Sequence, residues 1–437
     1  MNAIASETKS SQITEQTHQP NIHSWHTENG AKVYFIQSNE VPIVDIQISF
    51  QAGSAYDAKQ YGLASLTASL LETGVKGMDE DELINQLTLQ GAHFSEQSSR
   101  DAATFTLRSM SMPEYLTPSI DLFKKILTTP TFPESQFERA KKQHLTSIAI
   151  EEQYPDEVAY KALIKALYPE HPYGHPIDGT SESVTEISLK DAINFYHKYY
   201  VASNASIAII GDIDEKTARD ISNEIIEGMP KGEQAPAIAE PKALTKSESI
   251  HIPFPSNQTT ILKGTLSIKK GSDEFFALMV ANQILGGDGM TSLLFQNVRK
   301  DKGLAYGVHS AIRTMKVKGV FLIEAKTRND KAYESIETIN QVLANFNKQG
   351  PTEEQLTLAK RYLIGSFPLS VATNRSKLSL LSVIGFYNLP LNYLNTYIDK
   401  VNSLNQSQVK DTFDEIINLD HMITVTVGNI PKHTDKA

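Results

Sequence analysis

The chain has 437 residues, too many for one ordinary hydrophobic core, and at roughly 150 residues per domain it has room for two or three. Its 40% hydrophobic and 21% charged residues are those of a globular protein, and no apolar run approaches the roughly 18 residues that would suggest a membrane span. A formal charge of −10 argues against a nucleic-acid binder, and the absence of cysteine removes disulfides, thiolate metal sites and cysteine nucleophiles.

The first twenty or so residues are rich in Ser, Thr, Gln and Glu and read as a disordered arm over 1–21. Ala3-Ile4-Ala5 has the small-residue spacing of a signal-cleavage site, which leans toward a periplasmic rather than a cytoplasmic address. Further on, Val44, Ile46, Ile48 and Phe50 alternate with Asp45, Gln47 and Ser49, the period of two of a half-buried strand, and the run ends at Gly53-Ser54. Leu63, Leu66 and Leu70 then recur at helical spacing, with Gly74 as a C-terminal cap. The polar turns Asp57 to Gln60 and Met78 to Glu82 read as solvated.

A second helix starts near Pro133-Glu134-Ser135-Gln136. Beyond it, Pro169-Glu170-His171-Pro172-Tyr173-Gly174-His175-Pro176 contains two histidines, but its prolines and glycine make a turn rather than a helix face that could hold a metal. Ala205 to Ile210 forms a β run closing on Gly211-Asp212-Ile213. Gly228 to Ser249, with Pro230, Gly232, Pro236 and Pro241, reads as an extended linker.

The same signals then return. Leu262, Gly264, Leu266 and Ile268 alternate with polar residues up to Gly271-Ser272. Pro351-Thr352-Glu353-Glu354-Gln355 opens a helix, and Met422 to Val427 closes on Gly428-Asn429-Ile430. Gly53 matches Gly271, Gln136 matches Gln355 and Gly211 matches Gly428, at a nearly constant offset of about 218 residues. The chain is therefore a duplication of class α+β. Each half is a mainly antiparallel sheet with helices on one face, one spanning 22–228 and the other 250–437, joined by a linker over 229–249.

The helix Tyr61 to Gly74, placed after an alternating strand and a Gly-Ser turn, resembles the first helix of the pitrilysin/insulinase family of zinc peptidases, which includes the mitochondrial processing peptidases. There the helix reads G-x-x-H-x-x-E-H, two histidines binding zinc from one face and the glutamate activating water. Aligning Gly62 puts Ser65 and Ser69 at the histidine positions and Ala68 at the glutamate position. The family's distal glutamate ligand falls near Thr146 and Ser147, one turn before Glu151 and Glu152. Ser65 and Ser69 themselves read as small residues that let the helix pack closely. The resemblance implies no metal in this chain.

The segment Leu285-Gly286-Gly287-Asp288-Gly289 leading to Arg299 and on to Gly303-Leu304-Ala305-Tyr306 also resembles this family, with Arg299 and Tyr306 at the spacing of its Arg/Tyr pair. In two-subunit members the chain without zinc contributes that pair to its partner's site. The resemblance therefore implies a non-catalytic, substrate-binding subunit, inactive alone, that partners a homologous zinc-bearing chain around a peptide cavity. Tyr306 would donate to the oxyanion and Arg299 would hold substrate carbonyls or a carboxylate. Gly286, Gly287 and Gly289 resemble a shortened form of the family's substrate-capturing glycine loop, or else break a helix. Two other readings stay open: a structural scaffold of the same fold, and a free-standing peptidase with a displaced metal site. A self-similar interface also admits a homodimer of the isolated chain.

Overall fold

The computed structural model describes residues 21–431 apart from residue 288, so the expected arm lies almost wholly outside the described residues. Two sheets organise the rest. The first has six strands, in the spatial order His23–His26, Lys32–Gln37, Ala205–Gly211, Ile43–Phe50, Ala103–Met110 and His93–Ser98. The second has five, in the order Glu248–Pro253, Ile423–Gly428, Gln258–Leu266, Val320–Arg328 and Ala305–Arg313. Leaving aside His23–His26, the two orders are the same, strand for strand, and each contains one parallel pair among antiparallel ones. The duplication is thus one of topology as well as of sequence landmarks.

Each sheet packs its own half's helices on one face. Ile46, Ile48, Phe50, Phe105 and Leu107 are buried against first-half helices, and Ile261, Phe321 and Ile323 against second-half helices. The alternation in the sequence puts these residues on one side because successive strand residues face opposite ways.

The opposite faces are covered by exchange. The helix Pro155–Leu167, from the first half, buries Leu163, Ile164 and Leu167 in the cluster that holds Leu262, Leu266, Val425 and Val427 of the second sheet. Its counterpart 219 residues on, Asn374–Phe386, buries Leu378 and Leu381 against Tyr34, Ile36, Ala208 and Ile210 of the first sheet. The apolar positions Leu262, Gly264 and Leu266 therefore meet a borrowed helix. One glycine opens each crossing. A Cβ on Gly264 would come within 3.3 Å of the Leu163 side chain, and one on Gly385 within 2.5 Å of the Tyr34 ring. Each fully buried Leu or Ile in these contacts contributes about 1.5–3 kcal/mol, so the halves are joined by core packing rather than by the linker.

Residues 229–247 form no helix or strand, but are held down by bonds such as Ala235 N–H to Asn204 Oδ1 at 2.6 Å. Among the described residues no helix is long and apolar enough to cross a membrane.

Candidate functional site

The first helix of the site runs from Leu63 to Ser69, shorter than the span read from the sequence, because Gly74 belongs to a two-residue strand, Gly74–Val75, paired with Met78–Asp79. Its N-terminus is fixed by Asp57. That carboxylate accepts the Gly62 N–H at 2.8 Å and the Ala64 N–H at 2.7 Å, satisfying donors that a helix start leaves free. Asp57 is buried, not solvated as its turn implied, and burial pushes its carboxyl well above the usual carboxylate range despite the two bonds. Gly62 sits at φ 94°, a left-handed conformation that favours glycine.

The positions that the resemblance aligns with zinc ligands carry no imidazole or carboxylate. Ala68 is buried, and the Ser69 hydroxyl donates to Leu66 O at 2.9 Å. Thr146 is exposed and donates to Lys142 O at 2.9 Å, while Glu151 pairs with Lys161 at 2.8 Å. Among the described residues no group of three or more His, Asp or Glu is placed to hold a metal ion. A hydroxyl bonded within its own helix and a methyl do not fit zinc.

Ser65 does more than pack closely. Its hydroxyl donates to Asp178 Oδ1 at 2.5 Å, and His144 Nε2 lies 3.2 Å from Ser65 Oγ and 3.4 Å from Asp178 Oδ1. Ser65 comes from the short helix, His144 from the helix Glu134–Glu151, and Asp178 from the loop after Pro172–Gly174. The trio is not a nucleophilic triad, which would need the hydroxyl on one imidazole nitrogen and the carboxylate on the other. It bridges three segments of the first half at the helix that the resemblance aligns with a zinc motif. The hydrogen bond from His144, then that from Ser65, holds the Asp178 carboxyl below its ordinary range against the cost of burial. Burial raises the neighbouring Glu96 and Glu72. No local sequence signal marked His144 or Asp178, because they reach Ser65 from 79 and 113 residues away.

In the second half, the counterpart helix Phe275–Leu285 ends at the glycine cluster. Asn282 O accepts from both Gly286 N–H (2.9 Å) and Gly287 N–H (2.8 Å), and Gly286 O accepts Ser310 N–H at 2.8 Å. A Cβ on Gly286 would fall 2.6 Å from Ser310 N, so the close approach of strand Ala305–Arg313 requires glycine there. At Gly289, φ 139°, a Cβ would meet only the Thr291 hydroxyl, 3.9 Å away.

Arg299 lies on a π-helical turn, Phe295–Asp301, exposed, with its guanidinium 5.0 Å from the Phe295 ring centre. Tyr306 follows at the start of an edge strand, where the register slips between Ala305 and Gly307. The bulge leaves Tyr306 unpaired and turns it outward, 66% exposed, the behaviour of bulges that re-aim a side chain. Arg299 and Tyr306 thus both reach solvent beside the glycine cluster in sequence, with no hydrogen bond between them among the described residues.

Paired repeats with matching sheets and helices define a duplicated α+β chain. Residues 32–181 match the insulinase (peptidase family M16) domain and residues 186–363 the peptidase M16 inactive domain. The chain belongs to peptidase family M16. It is similar to the crystal structure of a peptidase M16 inactive domain from Pseudomonas fluorescens, at 35% identity and TM-score 0.91 over 94% of this chain and 98% of that one. Two curated relatives are the "Uncharacterized zinc protease YmxG" of Bacillus subtilis, 24% identical over 94% of this chain and 100% of its own length, and the "Non-peptidase homolog YmxG" of Helicobacter pylori. The latter is 25% identical over 92% of this chain and 94% of its own.

Proposed function

We propose that this chain is the non-catalytic, substrate-positioning subunit of a two-chain zinc peptidase, lending Arg299 and Tyr306 to the active site of a homologous zinc-bearing partner. The observation that carries the reading is the contrast between two counterpart places. At the metal positions Ser65, Ala68 and Ser69 are buried or bonded internally, whereas Tyr306 is pushed out of its strand by a bulge with its phenol free to reach another chain. Loss of the ligands together with presentation of the oxyanion donor is what a partner-dependent site needs.

The peptide cavity would lie between the two chains. Among the described residues, strands His93–Ser98 and Ala305–Arg313 each have one unpaired edge, where an extended peptide can add main-chain hydrogen bonds. Gly289, where a Cβ would meet only the Thr291 hydroxyl at 3.9 Å, is the one of the three loop glycines best placed to let a peptide approach the backbone. Zinc belongs to the partner. The likeness to the Helicobacter pylori chain named a non-peptidase homologue agrees with inactivity in isolation.

The test is reconstitution. The isolated, dialysed chain should bind no stoichiometric zinc and cleave no unstructured peptide, the zinc-bearing chain alone should be weak, and mixing should restore chelator-sensitive cleavage in proportion to complex formation. One zinc per chain, or chelator-sensitive turnover by this chain alone, overturns the reading.

A further inference from the structure

A cleft of about 650 Å³, within the roughly 300–1,000 Å³ range of small-molecule sites, opens between the turn before helix Leu63–Ser69, the helix Pro155–Leu167 and the loop Pro169 to Pro176. The histidines of that loop build its walls. The His175 ring stacks on Tyr61, with centroids 4.2 Å apart and planes 14° from parallel. His171 packs against Tyr168 at 5.5 Å. Neither histidine is a free polar group. His171 Nε2 is bonded to Ala239 O at 2.8 Å and its Nδ1 accepts Tyr173 N–H at 3.1 Å, while His175 Nδ1 is bonded to Pro176 O at 2.9 Å. The rings therefore offer faces, and with three prolines they make the walls largely apolar.

The charges on the lining nearly cancel. Lys161 is paired with Glu151 at 2.8 Å and Glu170 with Lys242 at 2.9 Å. Lys165, exposed in the last turn of its helix, makes no hydrogen bond or ion pair among the described residues. One uncompensated cation beside aromatic and proline walls specifies a ligand with one negative charge on an aromatic or bulky apolar body. Lys161 and Pro176 also line a smaller neighbouring cavity that Asp178 borders.

We propose that this cleft binds the carboxylate of an aromatic or apolar residue, the C-terminal end of a peptide or a free acid of the same shape, with its ring against Tyr61 and its carboxylate on Lys165. The binding needs no partner subunit, so it stands or falls separately from the composite active site.

The test is calorimetric titration of the isolated full chain with a short peptide ending in phenylalanine, the same peptide as its C-terminal amide, and N-acetylphenylalanine. The acid peptide should bind and the amide should bind about tenfold more weakly or worse, as expected for loss of a charge-assisted contact. Lys165→Ala should reproduce that loss, and Lys165→Arg should restore binding. Because Lys165 is exposed and unbonded, these variants leave the fold intact, which circular dichroism verifies. Binding of N-acetylphenylalanine as well makes the terminal residue sufficient, and binding of the peptide alone makes the preceding residues part of the ligand; both support the proposal. Equal affinity for acid and amide, no heat at millimolar ligand, or unchanged affinity in Lys165→Ala overturns it.

Discussion

Tyr387, at the end of the helix lent by the second half, donates its hydroxyl at 2.8 Å to Asp101, a buried carboxylate of the first half. Asp101 also accepts from the Tyr173 hydroxyl and from Lys316 N–H at 3.0 Å, so one side chain binds groups from both repeats. Burial lowers the nearby Lys270 and Lys316 ammonium groups, and Asp101 partly offsets this. The carboxylate is a polar staple within the apolar helix exchange.

Removing only the Tyr387 hydroxyl leaves its ring packing in place. Tyr387→Phe is expected to cost about 1.5–3 kcal/mol, the range for a hydrogen bond to a charged group. Urea unfolding at neutral pH measures it. A change within a few tenths of a kcal/mol would show that the staple adds nothing to the packing around it.

The Ser65–Asp178–His144 bridge predicts a pH signature. The Asp178 carboxyl titrates below its ordinary value in the folded chain, so its contribution is fully present above the unfolded pKa, about 3.9, and is lost as pH falls through the lower folded value. Glu96, Asp57, Lys161 and His144 are the charged or titratable groups acting on this pocket. Glu96 and Glu72, raised by burial, run the other way: their contribution is present at low pH and lost as pH rises through their folded values. The unfolding free energy of Asp178→Asn should therefore be lower than that of the native sequence at pH 6–7, and the gap should close below about pH 4. A gap that stays constant with pH would mean the carboxylate charge plays no part.

The duplication was legible because turns leave a local mark: Gly53 and Gly271, or Gly211 and Gly428, end strands wherever the chain reverses. The helix exchange was not. The segment Pro155–Leu167 carries an apolar face, but an apolar face does not say which sheet it will cover, and only the three-dimensional structure sends Leu163 to the second half. Asp57 was misread for a related reason. Its polar neighbours imply a wet turn, whereas its role as a helix cap depends on the depth to which that helix is buried. The positions of Arg299 and Tyr306 could be read from a motif, but the bulge that exposes Tyr306 is a property of strand register, not of the residues taken singly.

The glycine cluster separates architecture from binding. Gly286 has φ −160°, which other residues adopt, so the objection to a side chain there is contact with Ser310 and Leu294 alone. Gly286→Ala should cost about 1–3 kcal/mol by overpacking and lower Tm accordingly. A Cβ on Gly289 would meet only the Thr291 hydroxyl, at an ordinary contact distance of 3.9 Å, so the cost of Gly289→Ala should come from the backbone conformation at φ 139°. If Gly286→Ala melts with the native sequence, the strand is not held as closely as the geometry requires.

The decisive prediction concerns Tyr306 and Arg299 in the reconstituted enzyme. Tyr306 is 66% exposed and unpaired in its strand, so Tyr306→Phe removes a hydroxyl that the fold does not use, and both Tm and co-purification with the partner should be unchanged. If the phenol donates to the oxyanion at the partner's zinc, kcat of the mixture should fall by about two to three powers of ten, equivalent to about 2.7–4 kcal/mol, with little change in KM. Arg299 has its guanidinium against Phe295 and is otherwise open to solvent, which suits a group that grips substrate through its fork of donors. Arg299→Ala should act mainly by raising KM, and Arg299→Lys should recover little, because a single ammonium cannot reproduce bidentate geometry. Should both variants assemble normally and the mixed enzyme keep full activity, the pair has no catalytic role, and a scaffold of the same fold becomes the better description of the chain.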